Sequence, residues 1–347
     1  MPVGLVAIWI SLTKMRNQKD PGATRLDGLG LVTFAAAMFL LEFGLIRGNA
    51  VGWTSGTILA TFAGSAAALI AFVLVELLQT RPMFDLSLFR KPSFGAVSIA
   101  TFAIGGGMFA LLPYLTLYIQ NDLGYSPFEG GVRLLPLTVL AFLVPFVFRR
   151  PAQALPPGLV LGAGFAVTAG GIGAMLAVGP HSSWTVLIPG LMLCGIGLGI
   201  ANPAIAQVGL GVVPPQRSGM ASGISNTFRI AGLATGVAAL GAIFQQRVTS
   251  SLSSSFGPHA AALSRVVSSA GVKAAAHGQA RTADAAHVAV VSGLHTLLAI
   301  GAIAVAAGAV ISVVVVRSKD FHQPTPPVAP TEPEPATVVA AVTPEAR

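Results

Sequence analysis

The sequence predicts an all-α membrane protein of about eight transmembrane helices, and three observations carry that reading. Charged residues make up 9% of the chain and hydrophobic residues 54%, whereas a soluble chain carries about a quarter of its residues charged. With a mean hydropathy of +0.78, water is not its main solvent. The apolar residues also fall in long blocks, such as Leu187 to Val213, that exceed the ~20 residues needed to cross ~30 Å of hydrocarbon. Finally, the basic residues gather in short clusters between those blocks, where they act as topology signals.

Windows of about 19 residues place helices near 28-46, 57-78, 94-119, 132-148, 157-178, 185-212, 219-244 and 288-316. All are expected to be helical, because an open sheet cannot satisfy its backbone in lipid and the alternation of a barrel strand is absent. The opening MPVGLVAIWISLTK lacks a charged region before its apolar run and a small-residue cleavage site after it, so it is not read as a signal peptide. It is also too short to span. Residues 1-13 are therefore expected to be the remnant of a preceding transmembrane helix, with two helices in 14-92 and six in 93-317.

Lys14, Arg16, Lys19 and Arg25 precede the first span, Arg81, Arg90 and Lys91 the third, and Arg149 and Arg150 follow the fourth. These fall on one side, joined by Arg217, Arg317 and Lys319 if eight spans alternate. The positive-inside rule makes that side, and both termini, cytoplasmic. Residues 245-287 then form an external loop carrying Arg247, Arg265, Lys273 and Arg281, and their Ser, Ala and Gly content predicts a long mobile loop with some amphipathic helix. The tail over 318-347, with its PTPPVAPTEPEPA run, has too little apolar content to pack and is expected to be a disordered cytoplasmic extension.

Several function classes are excluded at this level. The net charge of +8 lacks the aromatic interleaving of a nucleic-acid surface, so no nucleic acid partner is expected. Cys194 is the single cysteine, which leaves no disulfide framework or Cys-rich metal site. No HExxH, GxSxG or Walker-type loop occurs, so neither an enzyme nor an ATP-driven pump is supported, and no cofactor or metal is implied. Asn202-Pro203-Ala204 matches the triplet of water channels, but that fold needs two such triplets on facing half-helices.

Within the spans, Gly195 with Gly199, Gly219 with Gly223, and Gly232 with Gly236 form small-xxx-small spacings whose default role is close helix packing. Arg229 lies ~15 Å along a helix starting near Gly219, close to the bilayer centre. It either faces protein or water there, with Asn226 and Thr227 as polar neighbours around the same cavity, or snorkels to the interface. These three residues are the candidate substrate pathway. Glu42, a few residues from Arg47, reads as one half of an interfacial ion pair, and Glu76 as a similar interfacial carboxylate. His295 could titrate near neutral pH, although a lone histidine near a helix end is more often simply hydrogen-bonded.

LLPYLTLYIQNDLGYSPFEGGVRLLPL (111-137) resembles the seventh-to-eighth core helix region of the EmrB/QacA-type, fourteen-helix drug:proton antiporters of the major facilitator superfamily. RPMFDLSLFRKPSF (81-94) resembles the cytoplasmic segment entering that region, and RLDGLG (25-30) with IRGNAVGW (46-53) the first of two extra central helices. RSGMASGISNTFRIAGLATGVAALGAIF (217-244) resembles the penultimate helix, with Ala221, Ser222, Gly223, Asn226, Thr227, Arg229 and Gly232 fitting the pattern. Ile230 stands where that family usually has Gln, and RRPAQALPPG lacks the Gly, Asp and Arg pattern expected after the fourth span.

The resemblance implies two linker helices followed by the C-terminal six-helix bundle of a major facilitator fold. It implies export of drugs or other amphipathic compounds by proton antiport across the inner or plasma membrane, with a small amphipathic substrate and the lipid bilayer as partners. The family's first six helices, which carry its proton-coupling acid, would lie outside this sequence. The chain is then not expected to function alone; one alternative is half of a split transporter, whose partner would be a separate N-terminal half. A non-transporting structural or channel-like role is the other alternative.

Overall fold

The computed structural model describes residues 28–79, 84, 86–213, 218–270, 272, 280–317 and 320, together with Gly4, Leu5, Trp9 and Thr13. The expected remnant over 1-13, the basic cluster over 14-25 and the tail over 318-347 fall almost wholly outside these residues.

Eight helices among the described residues are long and apolar enough to cross a bilayer. In chain order the helices are α1 (Gly28–Val51), α2 (Gly56–Leu78), α3 (Pro92–Asp122), the short α4 (Pro127–Arg133), α5 (Leu135–Ala154), α6 (Pro157–Ala177), α7 (Trp184–Gly211), α8 (Ser218–Phe256), α9 (Ala260–Ala270) and α10 (Ala280–Val315). No strand occurs among the described residues. Each expected span has its helix.

The largest correction falls on 245-287. The seventh expected span was to end near 244, but α8 continues to Phe256, and α10 already begins at Ala280. Between them α9 packs back on α8, burying Ala260 and Val267, with Thr249 Oγ1 donating to Ser264 Oγ at 2.8 Å. Hydropathy measures compatibility with lipid, whereas these Ser- and Ala-rich turns are helical without being lipid-compatible, so a span-finding window ends too soon. The helix stops where Gly257 adopts a positive φ of +51° ahead of Pro258.

α1 and α2 form a hairpin. Gly52 turns the chain with φ +96°, and Ser55 caps α2 by accepting the amide of Ile58 at 3.4 Å. Ser65 Oγ donates across the hairpin to the Ala37 carbonyl at 2.7 Å, and Asn49 Nδ2 ties the hairpin to the bundle through the Ala242 carbonyl on α8 at 2.9 Å.

α3 is the central pillar of the rest. Its Gly105-Gly106-Gly107 run widens into a π turn that lies against α8 on one side and α10 on the other. A Cβ on Gly232 would run into the Phe102 carbonyl oxygen, and one on Gly236 would come 2.5 Å from Gly106 Cα, so α3 and α8 cross at backbone contact. Gly195 does the same for α7 on α5, against the Leu137 carbonyl, and Gly199 lies against the side chains of Val144 and Pro145. Gly219 and Gly223 depart from the packing expectation: a Cβ at either would meet no described atom within 4 Å. Equal spacing in the sequence therefore hides two environments, because only the second half of the small-residue stripe reaches α3.

Outside this core the helices present Leu, Ile, Val and Phe. Phe142, Phe146 and Val147 on α5 and Ile303, Val310 and Val314 on α10 are all largely exposed. Apolar surface on this scale is the face a membrane protein turns to lipid or to neighbouring helices.

Candidate functional site

The α3–α8 crossing fixes the position of the candidate site. One turn before Gly232, Arg229 lines a cavity of about 280 Å³ between α3, α7 and α8, whose polar wall is Thr101, Asn202, Ser222, Ser225, Asn226 and Arg229. Eleven residues separate Ser218 from Arg229, which puts its Cα ~16 Å along α8 and near mid-membrane. The guanidinium does not stretch to the end of the helix. It folds back one turn and donates from Nη2 to Asn226 Oδ1 at 2.6 Å, keeping both groups on the cavity wall. Ser225 Oγ is buried without a hydrogen-bond partner among the described residues, a spare hydroxyl at the same wall. Thr101 spends its hydroxyl on the Val97 carbonyl at 2.6 Å, so the cavity's free polarity comes from α7 and α8.

Thr227 parts from its expected companions. At 100° per residue it points away from Asn226 and Arg229, and with Phe228 and Ala231 it lines a second, aromatic chamber between α8 and the α1–α2 hairpin. The helix thus separates a polar cavity from an apolar one. Asn202, read from the sequence only as part of a weak triplet, faces the polar cavity.

The expected acidic and titrating positions also move. No ion pair joins Glu42 to Arg47 among the described residues; the Arg47 guanidinium lies over the Phe43 ring at 5.5 Å instead. Glu76, two residues from the end of α2, is 4% exposed, and its Oε2 accepts the Phe84 amide at 3.2 Å where the chain re-enters toward α3. His295 donates from Nε2 to the Val178 carbonyl at 2.6 Å, tying α10 to the end of α6.

Sequence reasoning missed the pair formed by Asp122 and His287. Asp122 ends α3 and is 5% exposed, and its Oδ1 meets His287 Nδ1 at 2.9 Å from the first turns of α10. Its Oδ2 has no partner among the described residues. A separation of 165 residues and an unremarkable Asn-Asp at the end of an apolar run offered no signal for the pairing. On the same side of the membrane Ser126 and Glu129 form a capping box on α4. Hydrogen bonds from the Ser126 amide and hydroxyl hold the Glu129 carboxyl below its ordinary range.

Glycine-packed apolar helices around a polar cavity define a multi-pass helical membrane protein. The Major Facilitator Superfamily matches residues 3–237, more than half of the chain, and the chain belongs to that family. It is 30% identical over 260 residues to the multidrug resistance protein Stp of Mycobacterium tuberculosis, a match covering 75% of this chain and 47% of that protein. Identity is 31% over 255 residues to the tetracenomycin C resistance and export protein of Streptomyces glaucescens, covering 72% of this chain and 46% of the relative. It is 31% over 249 residues to the cephamycin export protein CmcT of Amycolatopsis lactamdurans, covering 69% and 50%. The chain thus spans about half the length of these relatives. A bacterial homolog of the human lysosomal transporter Spinster, solved inward-facing and unoccupied, superposes with a TM-score of 0.56 at 16% identity over 85% of this chain and 71% of that one, which shows the shared fold.

Proposed function

We propose that the chain forms one wall of an export pathway for drugs or other amphipathic compounds in the cell membrane, and that Arg229 with Asn226 is its polar contact for the substrate. The observation that supports this best is the guanidinium held at mid-membrane on the wall of a cavity rather than drawn out to the surface. The names of two of these relatives, the tetracenomycin C resistance and export protein and the cephamycin export protein, support export as the direction. The opposite wall comes from residues outside this sequence, in a longer polypeptide or in a separate N-terminal half, as the twofold longer relatives suggest. The hairpin α1–α2 ahead of six spans supports assignment to the fourteen-helix branch, with the basic loops and both termini cytoplasmic.

Proton antiport is the coupling we propose, and within this chain the buried Asp122, paired with a partly exposed His287, is the group fit to hold the proton. The test is efflux by a version carrying the relatives' full length. Arg229→Ala should lower drug efflux ~10-fold or more while leaving membrane insertion intact, the scale of losing a charge-assisted hydrogen bond, and Arg229→Lys should lower it as well. Unchanged efflux in both variants would sink the assignment. The chain expressed by itself should insert but confer no resistance.

A further inference from the structure

The chamber behind α8 has the features of a site for something other than the transported compound. Its volume is about 360 Å³, within the range of small-ligand sites. Phe34 on α1, Phe72 on α2, Phe84 and Phe89 in the α2–α3 connection, and Phe228 on α8 form its aromatic wall, with neighbouring ring centroids between 5.2 and 6.3 Å apart. Leu69 and Phe102, at 43% and 37% exposed, leave it open at the surface of the bundle.

Its depth is fixed by the helices. Phe34 lies six residues after Gly28 and Phe72 six before Leu78, hence ~9 Å below the helix ends. Phe102 and Phe228 lie ten residues after Pro92 and Ser218, hence ~15 Å below the same surface. The chamber therefore occupies the depth of one leaflet's hydrocarbon, whose half-thickness is ~15 Å. At that surface the Leu86–Arg90 turn sends Leu86 and Phe89 into the chamber and leaves Arg90 exposed. Arg90 makes no hydrogen bond or ion pair among the described residues, whereas its neighbour Lys91 is occupied by the Val212 carbonyl at 2.6 Å.

An apolar chamber at acyl depth with a free guanidinium at headgroup height selects one kind of occupant. We infer that the chamber binds one acyl chain of an anionic phospholipid from that leaflet, with the headgroup phosphate on Arg90. The lipid wedges the α1–α2 hairpin against α3 and α8, behind the helix that carries Arg229.

The test is native mass spectrometry of the full chain released from nanodiscs of equal phosphatidylglycerol and phosphatidylcholine. One retained phospholipid per chain is expected, with phosphatidylglycerol preferred. Arg90→Gln should cut that preference about five-fold while leaving occupancy. Ala231→Phe, which fills the chamber, should abolish retention, and Leu69→Phe serves as a second filling variant should the first fail to fold. Retention undiminished in both filling variants, an unchanged headgroup ratio in Arg90→Gln, or no lipid on the unaltered chain would each overturn the inference. None of these readouts involves transport, so they stand or fall apart from the export proposal.

Discussion

Replacing Gly232 with alanine should separate close helix packing from mere glycine spacing. A Cβ there would fall on the Phe102 carbonyl oxygen and lie 2.9 Å from its carbonyl carbon, against 3.4 Å for ordinary contact. The helices must therefore part by at least half an ångström (3.4 less 2.9) along a backbone that has no side chain to swing aside. Overpacking of this kind costs ~3 kcal/mol at the upper end, offset by ~1 kcal/mol of helix propensity gained over glycine. A net loss of ~2 kcal/mol is expected. Gly223→Ala is the control: nothing described lies within 4 Å of the added methyl, so only the propensity gain remains. Reversible unfolding of the chain in mixed micelles, followed by circular dichroism against SDS fraction, reads both. Gly232→Ala as stable as the unaltered chain, or Gly223→Ala equally weakened, would refute the backbone-contact crossing of α3 and α8.

Glu129 has its carboxyl held below the ordinary range, so its contribution to stability is present above the unfolded carboxylate range and is lost as pH falls through the lower folded value. The difference in thermal midpoint between Glu129→Gln and the unaltered chain should therefore close on acidification, and a gap constant with pH would count against it. Reporter fusions at Ser87 and Ala152 should score cytoplasmic and those at Gly52, Asn121 and Ser253 external; a cytoplasmic signal at Ser253 would reverse the orientation of α8. His287→Ala leaves the buried Asp122 carboxylate unpaired and should cost ~3 kcal/mol or less, since the imidazole is partly exposed. Adding Asp122→Asn should recover part of that loss, and simple additivity of the two changes would show the groups to be uncoupled.

The sequence by itself determined that the chain is helical and crosses a membrane, because the bilayer imposes a local requirement: ~20 apolar residues in a row, with every amide paired inside the segment. That is why α1 to α3 and α5 to α7 lie where hydropathy put them, and why the 218-244 region could be singled out with Arg229 at its middle. The far end of α8 escaped because its Ser-Ala turns are helical for reasons that hydropathy does not register. Only the tertiary structure decided which way each residue faces and what it meets. Gly223 and Gly232 share one spacing pattern, yet only Gly232 lies under the Phe102 carbonyl. Asn226 and Thr227 are adjacent, yet they line cavities on opposite sides of α8. Asp122 and His287 are 165 residues apart and meet at 2.9 Å. In lipid the hydrophobic effect does not choose between helix faces, so the contacts are set by shape and by the few polar groups that must find one another, and neither is a property of any one segment.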